Sequence, residues 1–507
     1  MLCLASLKGS VMRICFILFV ALFAYSSTAY SVENLDFKVR SYPLGNLVYQ
    51  LDCMAKIKNC SREAYVKLWK QQLNWNDSDD LNLKKWSLLR KKYRGEIKLN
   101  GKEASPMALP WSGPRGIQIG HKFSIATTHA DSREQLKRFL EVIVAPEDMQ
   151  RIDEVIDHFS PRFSSWWNKN VKNKVQKNIT ETQNLLEKPK IQKRIKEFAN
   201  FYDASLPKKY LIYINLFYRP ELGTRGTKAT VYENHALVEF IPGKPAKESI
   251  GVVIHELCHF FHMVSTDKKK AAFVSRFAKS NNQYAIAAHN LSNEALATAF
   301  GNGIFAKLIL NQKRYSEKLK KKNSFYNNEA IDKAAKSLIP FLEKWLSEKK
   351  TMYHPTFVNK FVKLLESRIP NLLKRPEQLL SETIYTYNPK YSKIFEEKIS
   401  RTLRGGTYSG SIEDQYVKKK YENFPKLTVV AFATLSDLNK LKENKLIFDK
   451  DLQSMSSFFK KKKPFVYSVL RKDLGYTFVI SGGSSSNIEL EFKRLRLAKS
   501  RFVGFLN

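Results

Sequence analysis

Apolar positions along the chain recur mostly at helical spacing, with one clear change of period near its middle. Residues 46–57 and 61–73 carry apolar side chains three and four apart, and 74–80 is a mostly polar turn cluster. The same spacing runs through 133–144, restarts at Pro146-Glu147-Asp148, continues over 153–159, and fills 178–202 with one break at Pro189. Trp166 and Trp167 fall among the expected core residues. The period then drops to two. Residues 210–218, YLIYINLFY, are β-branched and aromatic and predict a strand. Residues 229–233 and 235–241 predict a hairpin around Asn234, closed by Pro242-Gly243-Lys244-Pro245. Helical spacing returns in 251–265, 291–300, 303–310, 329–349, 357–368 and 376–384. From about residue 407 the texture shortens. Residues 427–434, 476–481 and 488–492 read as strands, 436–442 as a helix and 482–486 as a flexible Gly-Gly-Ser turn. That turn lacks the Lys-Ser/Thr of a phosphate loop, so it predicts no nucleotide site. The expected class is α+β and helix-rich, with no internal repeat.

The stretch 251–265, GVVIHELCHFFHMVS, carries the chemistry. His255-Glu256-Leu257-Cys258-His259 is an HExxH motif. Residues four apart share one face of a helix, so His255 and His259 can aim at one zinc ion. Ile250, Val253, Leu257, Phe261 and Val264 fall on the opposite side, which makes a buried back and a polar front. Ser249 or Glu248 suits the helix start. Glu256, about 100° round from His255, can hold and deprotonate a water at the ion. Cys258 reads as a small buried hydrophobe rather than a ligand.

A third ligand is needed. His262 leans toward the same front but lies about 10.5 Å along the axis from His255 at 1.5 Å per residue. Zn–N bonds are about 2.0–2.1 Å, so one ion cannot be shared by all three on a straight helix. Glu294, in Leu291-Ser292-Asn293-Glu294-Ala295, is the better candidate. Ser292 would cap a second helix and place this carboxylate in its first turn.

Over about residues 201–310 the chain resembles the gluzincin metallopeptidases, in which HExxH is followed by a glutamate ligand on a downstream helix. Asn293-Glu294-Ala295 partly fits their form, and Thr298 stands where the thermolysin-like members have an acidic residue. The resemblance implies a zincin-like core of sheet, hairpin and HExxH helix, with a helical second lobe. It implies zinc held by His255, His259 and Glu294. It further implies that the last strand before the zinc helix, 235–240, lines the cleft. A downstream Tyr or His would stabilise the oxyanion, with Tyr385 and Tyr387 as first candidates and Tyr408 and His354 behind them.

Composition adds a setting. Lys8 and Arg13 precede an apolar run over 14–25 and small residues follow. This predicts a signal peptide over 1–31, and hence a secreted or periplasmic protein, with an uncleaved membrane anchor as the alternative. Of five cysteines, Cys53 and Cys60 survive close together, either as a local disulfide or as two thiols. Eighty-six Lys and Arg against 48 Asp and Glu give a net charge of +38. Such a basic protein is drawn to anionic envelope surfaces. No nucleic-acid module accompanies the charge, so nucleic acid is not expected as a partner.

The expected organisation is a signal peptide at 1–31, a mostly helical accessory or pro-region at 32–115, a metallopeptidase domain at 116–406 and a small α/β domain at 407–507. The expected function is that of an exported zinc hydrolase of peptide bonds, with Glu256 activating the attacking water. The alternatives are an amidase acting on envelope polymer and a non-enzymatic envelope-binding protein on a zincin scaffold.

Overall fold

The computed structural model describes residues 34–58, 60–93, 96–97, 117–221, 227–374, 380, 383–400, 407–423, 427–472, 475–498 and 502–506. The proposed signal peptide lies outside them. Among the described residues no helix is long and apolar enough to cross a membrane.

Two sheets organise the helices. The first contains β1 (Asn34–Arg40), β2 (Lys209–Tyr218), β3 (Ala229–Tyr232) and β4 (His235–Phe240), in the order β1-β2-β4-β3. β1, β2 and β4 are parallel, and β3 runs antiparallel to β4. The hairpin expected around Asn234 is present. Its turn places Glu233 at φ 51°, and the Asn234 side-chain amide donates to the Leu211 carbonyl at 2.9 Å. β4 is buried at all six positions, and strands flank both its edges. It therefore has no free backbone edge and cannot line a cleft by pairing with a substrate, contrary to the expectation for 235–240. The outer edge belongs to β3, which among the described residues has no strand beyond it.

β1 ties the segment before the expected boundary at residue 115 to the sheet that follows it. Leu35, Phe37 and Val39 alternate inward while Asp36 and Lys38 face solvent. The strand pairs along its whole length with β2, from Asn34↔Lys209 to Arg40↔Asn215. Helices Pro43–Met54 and Arg62–Gln72 then cover the buried Glu239 of β4. Its carboxylate accepts from Ser61 N at 2.9 Å, Ser61 Oγ at 2.6 Å, Tyr65 OH at 3.2 Å and Tyr49 OH at 3.3 Å. A buried carboxylate needs such donors to offset its desolvation. Residues 34–93 thus share a core with the segment that follows, and a pro-segment that could leave would strip this sheet of a strand. Helix Asp77–Lys92, capped by Asn76, occupies a stretch where the polar cluster masked a helix start. Cys53 and Cys60 form a disulfide, and Cys258 is free and buried.

The second sheet contains β5 (Thr383–Tyr387), β6 (Thr407–Ser411), β7 (Thr428–Phe432), β8 (Phe465–Leu470), β9 (Tyr476–Ser481) and β10 (Gly504–Phe505), in the order β10-β8-β9-β7-β5-β6. β5 lies between β6 and β7, so this α/β unit includes residues before the expected boundary at 407. Residues 383–384 are strand rather than the end of a helix. Residues 488–492 are helical, within Ser485–Leu497, because Ile488, Phe492 and Leu495 bury one helical face. Ser484 caps that helix by accepting from Asn487 N at 3.3 Å.

Candidate metal centre

The HExxH motif lies in helix Ala246–Met263, which starts earlier than expected, directly after Pro245. Its buried back, including Ile250, Val253, Leu257 and Phe261, packs into the core as the spacing predicts. Tyr210 of β2 stacks on Phe260 at 5.8 Å, which sets this helix on one face of the first sheet.

Glu294 sits on helix Ala285–Thr298. This helix begins two turns before Ser292, whose hydroxyl donates to the His289 carbonyl at 2.8 Å instead of capping. Glu294 is therefore in the middle of a helix rather than in a first turn, and its position is set by packing. The packing is backbone to backbone. After Thr298 the chain widens into a π-helical segment, Ala299–Phe305, that lies against the HExxH helix. Gly251 and Gly301 meet there without side chains between them.

This approach brings the three expected ligands together. His255 Nε2 and His259 Nε2 are 3.0 Å apart. Glu294 Oε2 is 3.4 Å from His255 Nε2, and Glu294 Oε1 is 3.7 Å from His259 Nε2. The donor atoms all fall within 4.8 Å of one another. The far sides of the rings are also set. His259 Nδ1 lies 3.1 Å from Asn293 Oδ1, an acceptor, so it carries the proton and Nε2 presents a lone pair to the cluster. His255 Nδ1 faces Thr298 Oγ1 at 3.4 Å. Glu294 Oε2 is enclosed yet has no hydrogen-bond partner. Two imidazole nitrogens and one carboxylate, whose buried Oε2 is the orphaned atom, are a donor set that fits zinc.

The electrostatics separate the two glutamates. Burial pushes the Glu294 carboxyl up, but His259, His255 and the Tyr326 hydroxyl outweigh it and hold the group down at about 2. Burial pushes Glu256 up to about 7, opposed by His259 and reinforced by Glu294. The two carboxyl groups are thus pushed apart, Glu256 toward its protonated form and Glu294 toward its ionised form. Burial likewise lowers His262 to about 3. It hydrogen-bonds Asn293 and stands behind the cluster rather than in it.

The expected tyrosines are elsewhere. Tyr385 is fully buried in the second sheet against Phe395, Phe432 and Phe492, and Tyr387 stacks on Phe395 at 4.9 Å. Both are packing residues of β5, and neither reaches Glu294 or the histidines. His354 bonds Thr356 and packs on Trp345. The Tyr408 side chain lies outside the described residues. The tyrosine at the centre is Tyr326, whose hydroxyl bonds Glu294 and whose ring lies over His255 at 6.1 Å and 25°. No sequence signal marks it, because it precedes helix Glu329–Ser347 in an irregular stretch.

No known family, curated protein or solved structure matches the chain.

Proposed function

We propose that the chain is a zinc-dependent hydrolase of peptide bonds with a zincin-like core. The observation that carries this is the convergence of His255 Nε2, His259 Nε2 and the orphaned Glu294 Oε2, with Glu256 beside them. His255, His259 and Glu294 would hold the ion. When bound, zinc supplies Lewis acidity toward a carbonyl oxygen and lowers the pKa of a water. Glu256 takes the proton of the attacking water and passes it to the leaving amine. Tyr326, at the glutamate ligand, is placed to donate to the oxygen on which charge develops. The outer edge of β3, beyond which there is no strand among the described residues, would offer backbone groups to an extended substrate beside the HExxH helix. The N-terminal pattern supports an exported protein.

Zinc content and cleavage of a peptide library test this together. One zinc per chain is expected in wild type and Glu256→Gln, loss of zinc in Glu294→Ala, and cleavage by wild type alone. Absence of zinc in wild type, or full zinc in Glu294→Ala, would overturn the assignment. The net charge of +38 favours one second reading, an amidase acting on a polyanionic envelope polymer. Cleavage of purified envelope material without cleavage of unfolded protein would select it.

A further inference from the structure

Tyr326 reaches the metal centre from residues 321–328, a segment with no helix or strand of its own. Its backbone must nevertheless be fixed, because its ring lies over His255 and its hydroxyl bonds Glu294. The group that gathers this backbone is Asp332. It sits in the first turn of helix Glu329–Ser347 and is 2% exposed. Its carboxylate is not the cap of that helix. Asn328 is, accepting from Ala330 N at 2.9 Å and Ile331 N at 3.2 Å. Asp332 instead takes its donors from the segment before the helix. Oδ1 accepts from Phe325 N at 2.8 Å and Tyr326 N at 3.4 Å, and Oδ2 accepts from Asn323 N at 3.1 Å. Asn323 stands at φ 55°, a left-handed turn that asparagine tolerates. Lys336, one helical turn on, completes the set at 2.8 Å from Oδ2. A buried carboxylate needs such donors and such a cation to offset its desolvation.

A second tie comes from the other side. Asn302 belongs to the π-helical segment Ala299–Phe305, and its Nδ2 donates to the Phe325 carbonyl at 2.9 Å. Asn302 also borders the HExxH helix, with Oδ1 2.9 Å from where a Cβ on Gly251 would stand. The peptide group between Phe325 and Tyr326 is therefore held at both polar atoms, its carbonyl by Asn302 and its N–H by Asp332. That group is planar, so fixing both atoms sets the direction in which Tyr326 leaves the backbone. Phe325 is buried on the near side of this peptide. Two elements that carry or support the centre thus meet on the one residue whose hydroxyl reaches Glu294.

We infer that Asp332 and Asn302 are positioning residues that hold the Tyr326 hydroxyl at Glu294, and that they affect hydrolysis only through Tyr326. The hydrolysis rests on the function proposed above, whereas the positioning does not. The first readout therefore uses the metal-free full chain with ¹³C-labelled tyrosine and histidine rings. A nuclear Overhauser contact between the Tyr326 and His255 rings, assigned by its absence in Tyr326→Phe, is expected in wild type. It should be lost in Asp332→Ala and in Asn302→Ala. Asn302→Ala removes one side-chain hydrogen bond and keeps the test open if Asp332→Ala does not fold. The second readout is kcat and KM on a cleaved peptide at saturating zinc. In either variant kcat should fall by about tenfold or more at unchanged KM, since a misplacement of about 1 Å can cost on the order of 10²-fold. In the Tyr326→Phe background the same substitutions should cause no further fall. No ring contact in wild type, or a contact retained in the folded variants whatever their thermal stability, would overturn the inference. So would a further fall in kcat on top of Tyr326→Phe. Absence of zinc or of cleavage in wild type would overturn the hydrolase reading alone, because the ring contact decides the positioning without either.

Discussion

Gly301 lies so close to His255 that a Cβ added to it would stand 2.8 Å from the His255 backbone nitrogen and 3.1 Å from its Cα, with the Gly251 carbonyl nearer still. All three neighbours are backbone atoms of the HExxH helix, which cannot rotate aside. A methyl group there must push the π-helical segment, and with it Glu294 and Thr298, away from the histidines. Gly301→Ala is expected to cost about 1–3 kcal/mol, the range for overpacking. It should also weaken zinc binding by more than this loss of stability explains. Thermal unfolding with and without zinc, together with zinc affinity by competition with a chelating dye, separates the two effects. Gly303→Ala is the control. Its Cβ would meet the flexible Ile339 side chain, so zinc affinity should be unchanged.

In the proposed zinc site Asn293 and Thr298 would act on the ion through the rings they contact. Removing such partners of metal-binding histidines lowers metal affinity by about 10–100-fold. Asn293→Ala is expected to show the larger loss, because its contact to His259 is the shorter, 3.1 Å against 3.4 Å. Thr298→Val keeps the shape of a fully buried side chain and removes only the hydroxyl. Equal zinc affinity in wild type and both variants would show that the rings are held by packing alone.

Tyr326 makes a distinction that Tyr385 does not. Tyr326→Phe keeps the ring over His255 and removes the hydroxyl that bonds Glu294. At saturating zinc, kcat on a cleaved peptide should fall by on the order of 10²-fold, as for loss of an oxyanion donor. Tyr385→Phe should leave kcat unchanged. Wild-type kcat in Tyr326→Phe at saturating zinc would reduce Tyr326 to a residue that positions Glu294.

How much of this was legible depended on the range of each signal. The HExxH helix, the β2 strand and the hairpin at Asn234 were readable because their periods persist over enough residues to exclude the other template. The alternation of Leu35, Phe37 and Val39 was equally regular but short. The segment Ile488-Glu489-Leu490-Glu491-Phe492 alternates over five residues and imitates a strand. Only the longer window from 485 to 497 shows that Glu491 is buried and Leu490 is 55% exposed, as a helix requires. Glu294 could be picked out because Asn293-Glu294-Ala295 partly resembles the gluzincin form. Tyr326 could not, because its contact with Glu294 joins distant segments and leaves no local pattern.

His129, at the end of helix Ile119–His129, and His235, the first residue of β4, meet Nε2 to Nε2 at 3.3 Å and should shape stability in acid. His129 and His235 titrate in the folded chain at about 4 and about 3, below the 6.5 they have when unfolded, chiefly through burial. As pH falls below 6.5 the unfolded chain takes up these protons first, so stability present above 6.5 is lost progressively toward the folded values. His129→Asn removes one of the two titrations. Its unfolding free energy should therefore fall less steeply than wild type's between 6.5 and about 4. Carboxylates held low elsewhere contribute equally to both proteins and cancel in the difference. Urea unfolding across this range, in amine buffers, measures the two slopes. Parallel slopes would show that His129 titrates alike in the folded and unfolded chain and that its burial does not hold it neutral.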